Sequence, residues 1–363
     1  MNTSKKFNLG SRNIAWTPTP AGEGQGEVLY LLLISFLLTV SCQYSSAQQV
    51  PIFSLYNENG YILNPGITGF EGMGIASLTY RYQWMKVDDA PQTLSAGYRM
   101  PIYSKGDLFQ KADNFIGVGA YVMNDKTGPT SYLSGNLTFA YHISFAKINP
   151  FFWAAFLRKS HLSFGLNFSV NQYRLDATKL IPDQTNDGLL VTADDSKILP
   201  NAGLGVYYYY DKFYFGFSAP QIIQWKVKYA DDFAESSINK VNHYFLVLGG
   251  KIPFGGRVAQ TRTPFRGYTY KFYIEPMVWF KKVRAAPYQY DVYTRFRYRN
   301  LAWLGAGYRS SKTMVFDVGF LIKKQLKFGY AYDLSISDLS SYIGSSHEFT
   351  LAYQIDFADR RRR

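Results

Sequence analysis

The feature that most constrains this chain is a two-residue alternation of apolar and polar side chains, repeated in segments of roughly ten residues from about residue 73 onward. In 346–357, Phe349, Leu351, Tyr353, Ile355 and Phe357 share one face, and Glu348, Thr350, Gln354 and Asp356 share the other. In 288–299, Tyr290, Val292, Phe296 and Tyr298 oppose Asp291, Arg295, Arg297 and Arg299. Successive side chains of a strand point to opposite faces, so both segments read as strands. Packing the apolar face on a second sheet would leave three arginines to stand unaided in water. A transmembrane antiparallel β-barrel accommodates both faces, one against lipid and one toward a polar lumen.

On this pattern strands are predicted near 73–84, 92–102, 115–124, 131–145, 161–174, 200–210, 212–220, 241–253, 269–282, 287–299, 301–310, 313–323, 325–334 and 346–357. That is an all-β chain of about 14 strands (roughly 12–16), an even number as single-chain bacterial barrels have. The longest connections, 175–199, 221–240 and the Ser-rich 335–345, then fall on the outside, and tight turns at Asp211, Asn300 and Lys324 on the inside. Segments 103–114, 146–160 and 254–268 are predicted as longer inside connections.

Composition agrees: 31 Tyr, 28 Phe and 30 Gly favour strands and tight bends. Trp84, Tyr207 to Tyr210, Trp279, Tyr298 and Trp303 lie near strand ends, where an amphipathic ring bridges lipid and water. Mean hydropathy is −0.17, as expected when lipid-facing and lumen-facing residues alternate. The one long apolar run, Val28 to Val40, is too short for a membrane helix of about 20 residues. It precedes Ser45-Ser46-Ala47, small residues of the kind a signal peptidase reads. Residues 1–47 are therefore predicted to be a removed signal peptide, cut between Ala47 and Gln48. Its basic residues Lys5, Lys6 and Arg12 lie far from the apolar run, a displacement that a misassigned start would explain. Cys42, the only cysteine, goes with it and leaves a mature chain without disulfides. A lipoprotein-like cut at Cys42 is the weaker alternative, because the usual Leu three residues earlier is absent. The formal charge is +13; its Lys and Arg are scattered through alternating strands, which points to lumen and turn charges and not to nucleic acid.

No catalytic set, cofactor motif or metal-ligand spacing stands out. His142, His161, His243 and His347 are widely separated; His161 and Ser163 share a face without a third partner; and Asp183, Asp187, Asp194 and Asp195 lack the ladder of a calcium loop. A non-enzyme is expected.

Several blocks in order do resemble one family: Ile62-Leu63-Asn64-Pro65; Tyr80-Arg81-Tyr82-Gln83-Trp84; Ala90-Pro91-Gln92-Thr93; Asn124-Asp125-Lys126-Thr127-Gly128-Pro129; Leu162 to Gly165; Pro200 to Gly205; Tyr209-Tyr210-Asp211-Lys212-Phe213-Tyr214; and Gly329 to Asp333, including Tyr332, through Ser345-Ser346-His347-Glu348. This order resembles the PorP/SprF family of type IX secretion system membrane proteins across the mature chain. The displaced signal and the basic tail 358–363 depart from it. Each block also has a plain scaffold explanation, Asn124 to Pro129 as a hairpin turn and Arg81 and Gln83 as lumen residues beside girdle aromatics. The resemblance implies an outer-membrane barrel of a Gram-negative bacterium. It implies as partners lipid, type IX secretion components and an exported surface protein such as a gliding adhesin. The barrel would help secrete or anchor that protein, either as a core component or as a dedicated partner. A passive channel for small solutes is the alternative, and an unobstructed lumen would distinguish it. The segment 48–72, rich in Asn, Gly and Pro and outside the strand pattern, is expected in the periplasm or the lumen, where it could plug or gate.

Overall fold

The computed structural model describes residues 51–103, 114–145, 160–176, 179, 195–228, 237–239, 242–260, 267–283, 286–323 and 325–356. The predicted signal 1–47 with its Ala47/Gln48 cut, the tail 358–363, the turn at Lys324, and Asp183, Asp187 and Asp194 lie outside the described residues.

Fourteen strands are each paired antiparallel with the next: β1 (Gly74–Tyr82), β2 (Gln92–Ile102), β3 (Phe115–Thr127), β4 (Thr130–Ser144), β5 (His161–Leu175), β6 (Asp195–Tyr209) and β7 (Phe213–Ala219). β8 (His243–Gly250), β9 (Gly267–Val283), β10 (Gln289–Tyr298), β11 (Ala302–Arg309), β12 (Thr313–Ile322), β13 (Leu326–Ser335) and β14 (Ser346–Ile355) follow. β14 then pairs with β1 from Gly74↔Ile355 to Tyr82↔His347 and closes the barrel. Closure gives each of the fourteen strands a partner on both sides, which lipid could not supply. Among the described residues no helix is long and apolar enough to cross a membrane.

The strands match the sequence alternation closely. In β14 Phe349, Leu351 and Tyr353 are exposed while Glu348, Thr350 and Ala352 are buried, and in β10 Tyr290, Val292 and Phe296 are exposed while Asp291 and Arg295 are buried. Leu78, Leu94, Leu137, Phe168, Phe217 and Leu304 continue the apolar exterior around the wall.

Three expectations need correction. The predicted connection 254–268 is largely strand: after Lys251, Ile252–Gln260 continues β8 against β9, in the same register from Ile252↔Ile274 to Phe254↔Phe272 and shifted by one residue from Arg257↔Tyr270 to Gln260↔Gly267. Gly255 and Gly256, at φ 78° and 77°, form a bulge between Phe254 and Arg257 instead of ending the strand. The turn expected over Asn124 to Pro129 is shorter, because β3 runs to Thr127 and only Gly128 and Pro129 connect it to β4. Four of the expected girdle aromatics face the inside of the barrel: Tyr207, Trp279 and Trp303 are buried there, and Tyr209 packs against the same core. Strand parity, which nearness to a strand end does not fix, turns them inward.

Because the strand count is even, β1 begins and β14 finishes at one end of the barrel, here called the near end. Turns at 210–212 and 299–301 share it. Connections 83–91, 128–129, 310–312 and 336–345 lie at the far end; the last holds a short helix, Ser340–Ile343. The predicted long connections 175–199 and 221–240 belong to the far end; the first is shorter than predicted, since β5 runs to Leu175 and β6 starts at Asp195, and the described part of the second holds a small ribbon of Lys226–Lys228 with Ser237–Asn239.

The segment before β1 fills the lumen. It contains α1 (Tyr56–Leu63) and a 3-10 turn (Pro65–Ile67), and all of α1 except Asn57 is buried. No side chain caps α1, and eight residues with a central glycine would not hold a helix in water. Packing holds it instead. Phe53, Tyr56, Tyr61, Ile62, Leu63 and Ile67 interlock with inward residues of the wall, including Tyr121, Tyr207, Phe245, Met277, Trp279 and Tyr293. Tyr56 stacks on Trp279 with ring centroids 5.2 Å apart, and Tyr61 meets Tyr121 edge-on at 5.5 Å. The lumen is thus partly apolar, more so than a polar channel requires. Gly117 and Gly165 face this segment, and a Cβ at either would collide with the backbone of Thr68 or of Pro65 and Gly66.

Candidate functional site

The plug is fixed to the wall at three levels. Nearest the far end, Glu348 of β14 accepts from the backbone N–H groups of Ser54 (2.5 Å) and Leu55 (3.1 Å). Ser54 Oγ donates to Asp333 of β13 at 2.7 Å and accepts from Arg81 of β1 at 2.7 Å. Arg81 bridges Asp333 (2.6 Å) and Glu348 (3.0 Å), and all three side chains are almost fully buried. Beside them Lys281 of β9 pairs with Asp291 of β10 at 2.7 Å, and Arg309 of β11 bridges Asp291 (3.1 Å) and Asp333 (3.3 Å). The Tyr56 hydroxyl donates to Asp291 and accepts from Lys281. Arg81, Lys281 and Arg309 therefore balance Asp291, Asp333 and Glu348. Buried charges persist only when paired and hydrogen-bonded.

Midway, Glu58 of α1 takes Lys327 of β13 (2.8 Å) and Arg295 of β10 (3.5 Å), and Arg295 also reaches Asp317 of β12 (3.2 Å). Burial pushes the Glu58 carboxyl up, but Lys327 and Arg295 outweigh it and hold the group below its ordinary value. Toward the near end Arg99 of β2 pairs with Glu71 (2.6 Å) and lies 4.4 Å above the Tyr61 ring. Asn64 is a third anchor: its Oδ1 accepts from Gly66 N at 2.9 Å, and its Nδ2 donates to Val206 O of β6 at 3.1 Å. Pro65 forces Asn64 into extended backbone (φ −133°, ψ 105°), which ends α1 there. The nearby Ser218 Oγ donates to Leu63 O at 2.7 Å, and His142 Nε2 lies 2.9 Å from Thr68 O.

The sequence blocks thus divide. Asn64, Pro65, Arg81, Asp333 and Glu348 converge on the plug. Tyr332 and His347 alternate with them and face outward near the far rim, where His347 Nδ1 meets Tyr330 OH at 2.8 Å and Tyr332 packs edge-on at 5.2 Å. A further group shapes the far-end connections. Gln83 N donates to Pro91 O (2.9 Å), Trp84 N to Ser346 Oγ (3.2 Å), Gly128 N to Asp89 O (3.0 Å) and Asp176 N to Pro129 O (2.8 Å). Ala90 is buried, Thr93 Oγ1 donates to Asp125 at 2.6 Å, and Asn124 and Lys126 are exposed beside it. Asp211 and Lys212 form the tight near-end turn between β6 and β7, and Lys212 O accepts from Lys251 N at 2.7 Å. Ser54, Tyr56, Glu58, Lys281 and Arg309 escaped the sequence reading. An unmatched charge on the inward face of a strand was the only signal for the last two.

His161 stacks on Tyr209 at 5.0 Å, with His142 and Phe115 in the same aromatic group; Ser163 is buried on the same face. His243 stacks on Phe245 at 6.4 Å, and Asp195 opens β6. Among the described residues no group of three or more His, Cys, Asp or Glu is placed to hold a metal.

Solved structures similar to the chain include the CymD monoaromatic hydrocarbon channel (11% identity, 82% of this chain and 92% of that one, TM-score 0.45). The Acinetobacter baumannii outer membrane protein Omp33 is another (10% identity, 80% of this chain and 100% of that one, TM-score 0.36). Salmonella typhi OmpF in complex with daunomycin is a third (10% identity, 78% and 96% covered, TM-score 0.30). No curated protein matches the chain. Residues 45–353 match the family described as type IX secretion system membrane protein PorP/SprF, a span that takes in the plug and thirteen complete strands together with most of β14. The closed wall, its apolar exterior and this match lead to one conclusion: the chain is an outer-membrane β-barrel that belongs to the PorP/SprF family of type IX secretion system membrane proteins.

Proposed function

We propose that the barrel is a component of, or a substrate-specific partner for, type IX secretion, and that it assists export or surface anchoring of proteins such as gliding adhesins. On this proposal the signal 1–47 is removed, the near end faces the periplasm and the far end faces outward. The supporting observation is the filled lumen. A passive solute channel needs a clear path, whereas here residues 51–72 are locked across it by buried ion pairs and packed rings. A closed barrel can still present its far-end connections to a partner, and loops on a rigid wall are a usual place for binding. Connections 83–91 and 336–345 are joined by Met85 N to Ser345 O (3.0 Å) and Lys86 N to Ile343 O (3.3 Å), and they expose Trp84, Met85, Leu339 and Tyr342.

The test is capture. The intact barrel, purified from its membrane, is expected to bring down one large exported protein or type IX components. A variant shortened across 337–343 is expected to lose that capture while keeping heat-modifiable gel migration. Capture by the shortened barrel at the wild-type level would remove this connection from the docking face, and recovery of neither class by the intact barrel would refute the proposal.

A further inference from the structure

The plug has a direction. Ser54 is bound by Arg81, the next-to-last residue of β1, by Asp333 near the far end of β13, and by Arg309 at the far end of β11. The chain then descends: Glu58 reaches Lys327, the second residue of β13; Asn64 reaches Val206 in the near part of β6; and Thr68 reaches His142 near the end of β4. Only then does β1 start, with Gly74 opposite Ile355. Pro51 and Ile52 are partly exposed, whereas Phe53 and Ser54 beneath them are buried.

We infer that the polypeptide enters the lumen through the far mouth, so that the amino end of the mature chain is presented at the same face as the docking connections. The inference rests on the orientation proposed above. A mature chain starting at Gln48 has three residues before Pro51, a reach of about 10 Å, so its amino terminus stays within a short distance of that mouth. The exported partner then meets the amino-terminal segment as well as the connections.

Single-cysteine variants of the full chain, with Cys42→Ser, test this by labelling intact cells with a membrane-impermeant maleimide. Pro51→Cys and the far-end control Asp338→Cys are expected to label to the same extent before and after permeabilisation. The near-end control Asn300→Cys is expected to label only after it. Labelling of Asp338→Cys in intact cells while Pro51→Cys waits for permeabilisation would overturn the inference and leave the orientation standing. The reverse pattern in the two controls would instead overturn the orientation. If Pro51→Cys labels in neither state, a short epitope inserted after Gln49 decides: antibody binding to intact cells supports the inference, and binding only after permeabilisation overturns it.

Discussion

Glu58 joins the plug to two strands through one carboxylate. Lys327 pairs with it, Arg295 shares it with Asp317, and its side chain is buried. Removing one partner of a buried ion pair typically costs about 3–5 kcal/mol, since the other charge is left uncompensated. Glu58→Gln should therefore lower the temperature at which the heat-modifiable band converts to the unfolded one, and leave the fold in place at low temperature. Its pH dependence has a definite sign. The folded value lies below the unfolded one, so the stabilisation is complete above about pH 4.3 and is lost as pH falls through the lower folded value. The stability gap between wild type and Glu58→Gln should be constant near neutrality and shrink on acidification; a gap that widened in acid would contradict the pairing.

The strands were legible element by element because lipid imposes a rule on each one separately: every second side chain must be apolar. β10 and β14 obey it almost without exception. The plug was not legible in the same way. A helix buried on all sides carries no stripe to reveal its period, and Gly60, Asn57 and Asn59 argue locally against helix. Gly255-Gly256 likewise reads as a strand end, yet forms a bulge. The convergence of Arg81, Asp333 and Glu348 depends on which strands become neighbours at closure, and no local pattern contains that. The lipid rule gives a mutational test. Leu351→Arg or Phe168→Arg places a charge on the lipid face, costing about 2–4 kcal/mol at the bilayer midplane. Gln354→Arg, inward and half-buried toward the near end, should assemble far better in an outer-membrane insertion assay. Asn167→Arg belongs with the damaging changes despite its inward face, because Asn167 is buried against Asn136. A reversed ranking, with Leu351→Arg assembling better than Gln354→Arg, would mean that the register is wrong by one residue.

At the scale of the whole molecule, the segment before β1 joins two unlike parts of the wall. The wall from β3 to β9 contributes most of the apolar packing, and the wall from β9 through β14 to β1 contributes most of the charges. Membrane and secretion roles follow from the closed wall and the family. The exported partner follows from neither, because strand alternation and closure constrain the wall and leave the chemistry of its connections free. The central claim, a closed barrel that serves protein export instead of solute passage, is tested most directly by comparing the surface and secreted proteomes of a strain lacking this gene with those of its parent. The expected result is the specific absence of one large surface protein, with uptake of small solutes unchanged. Intact surface and secreted proteins together with impaired uptake of one small solute would contradict it.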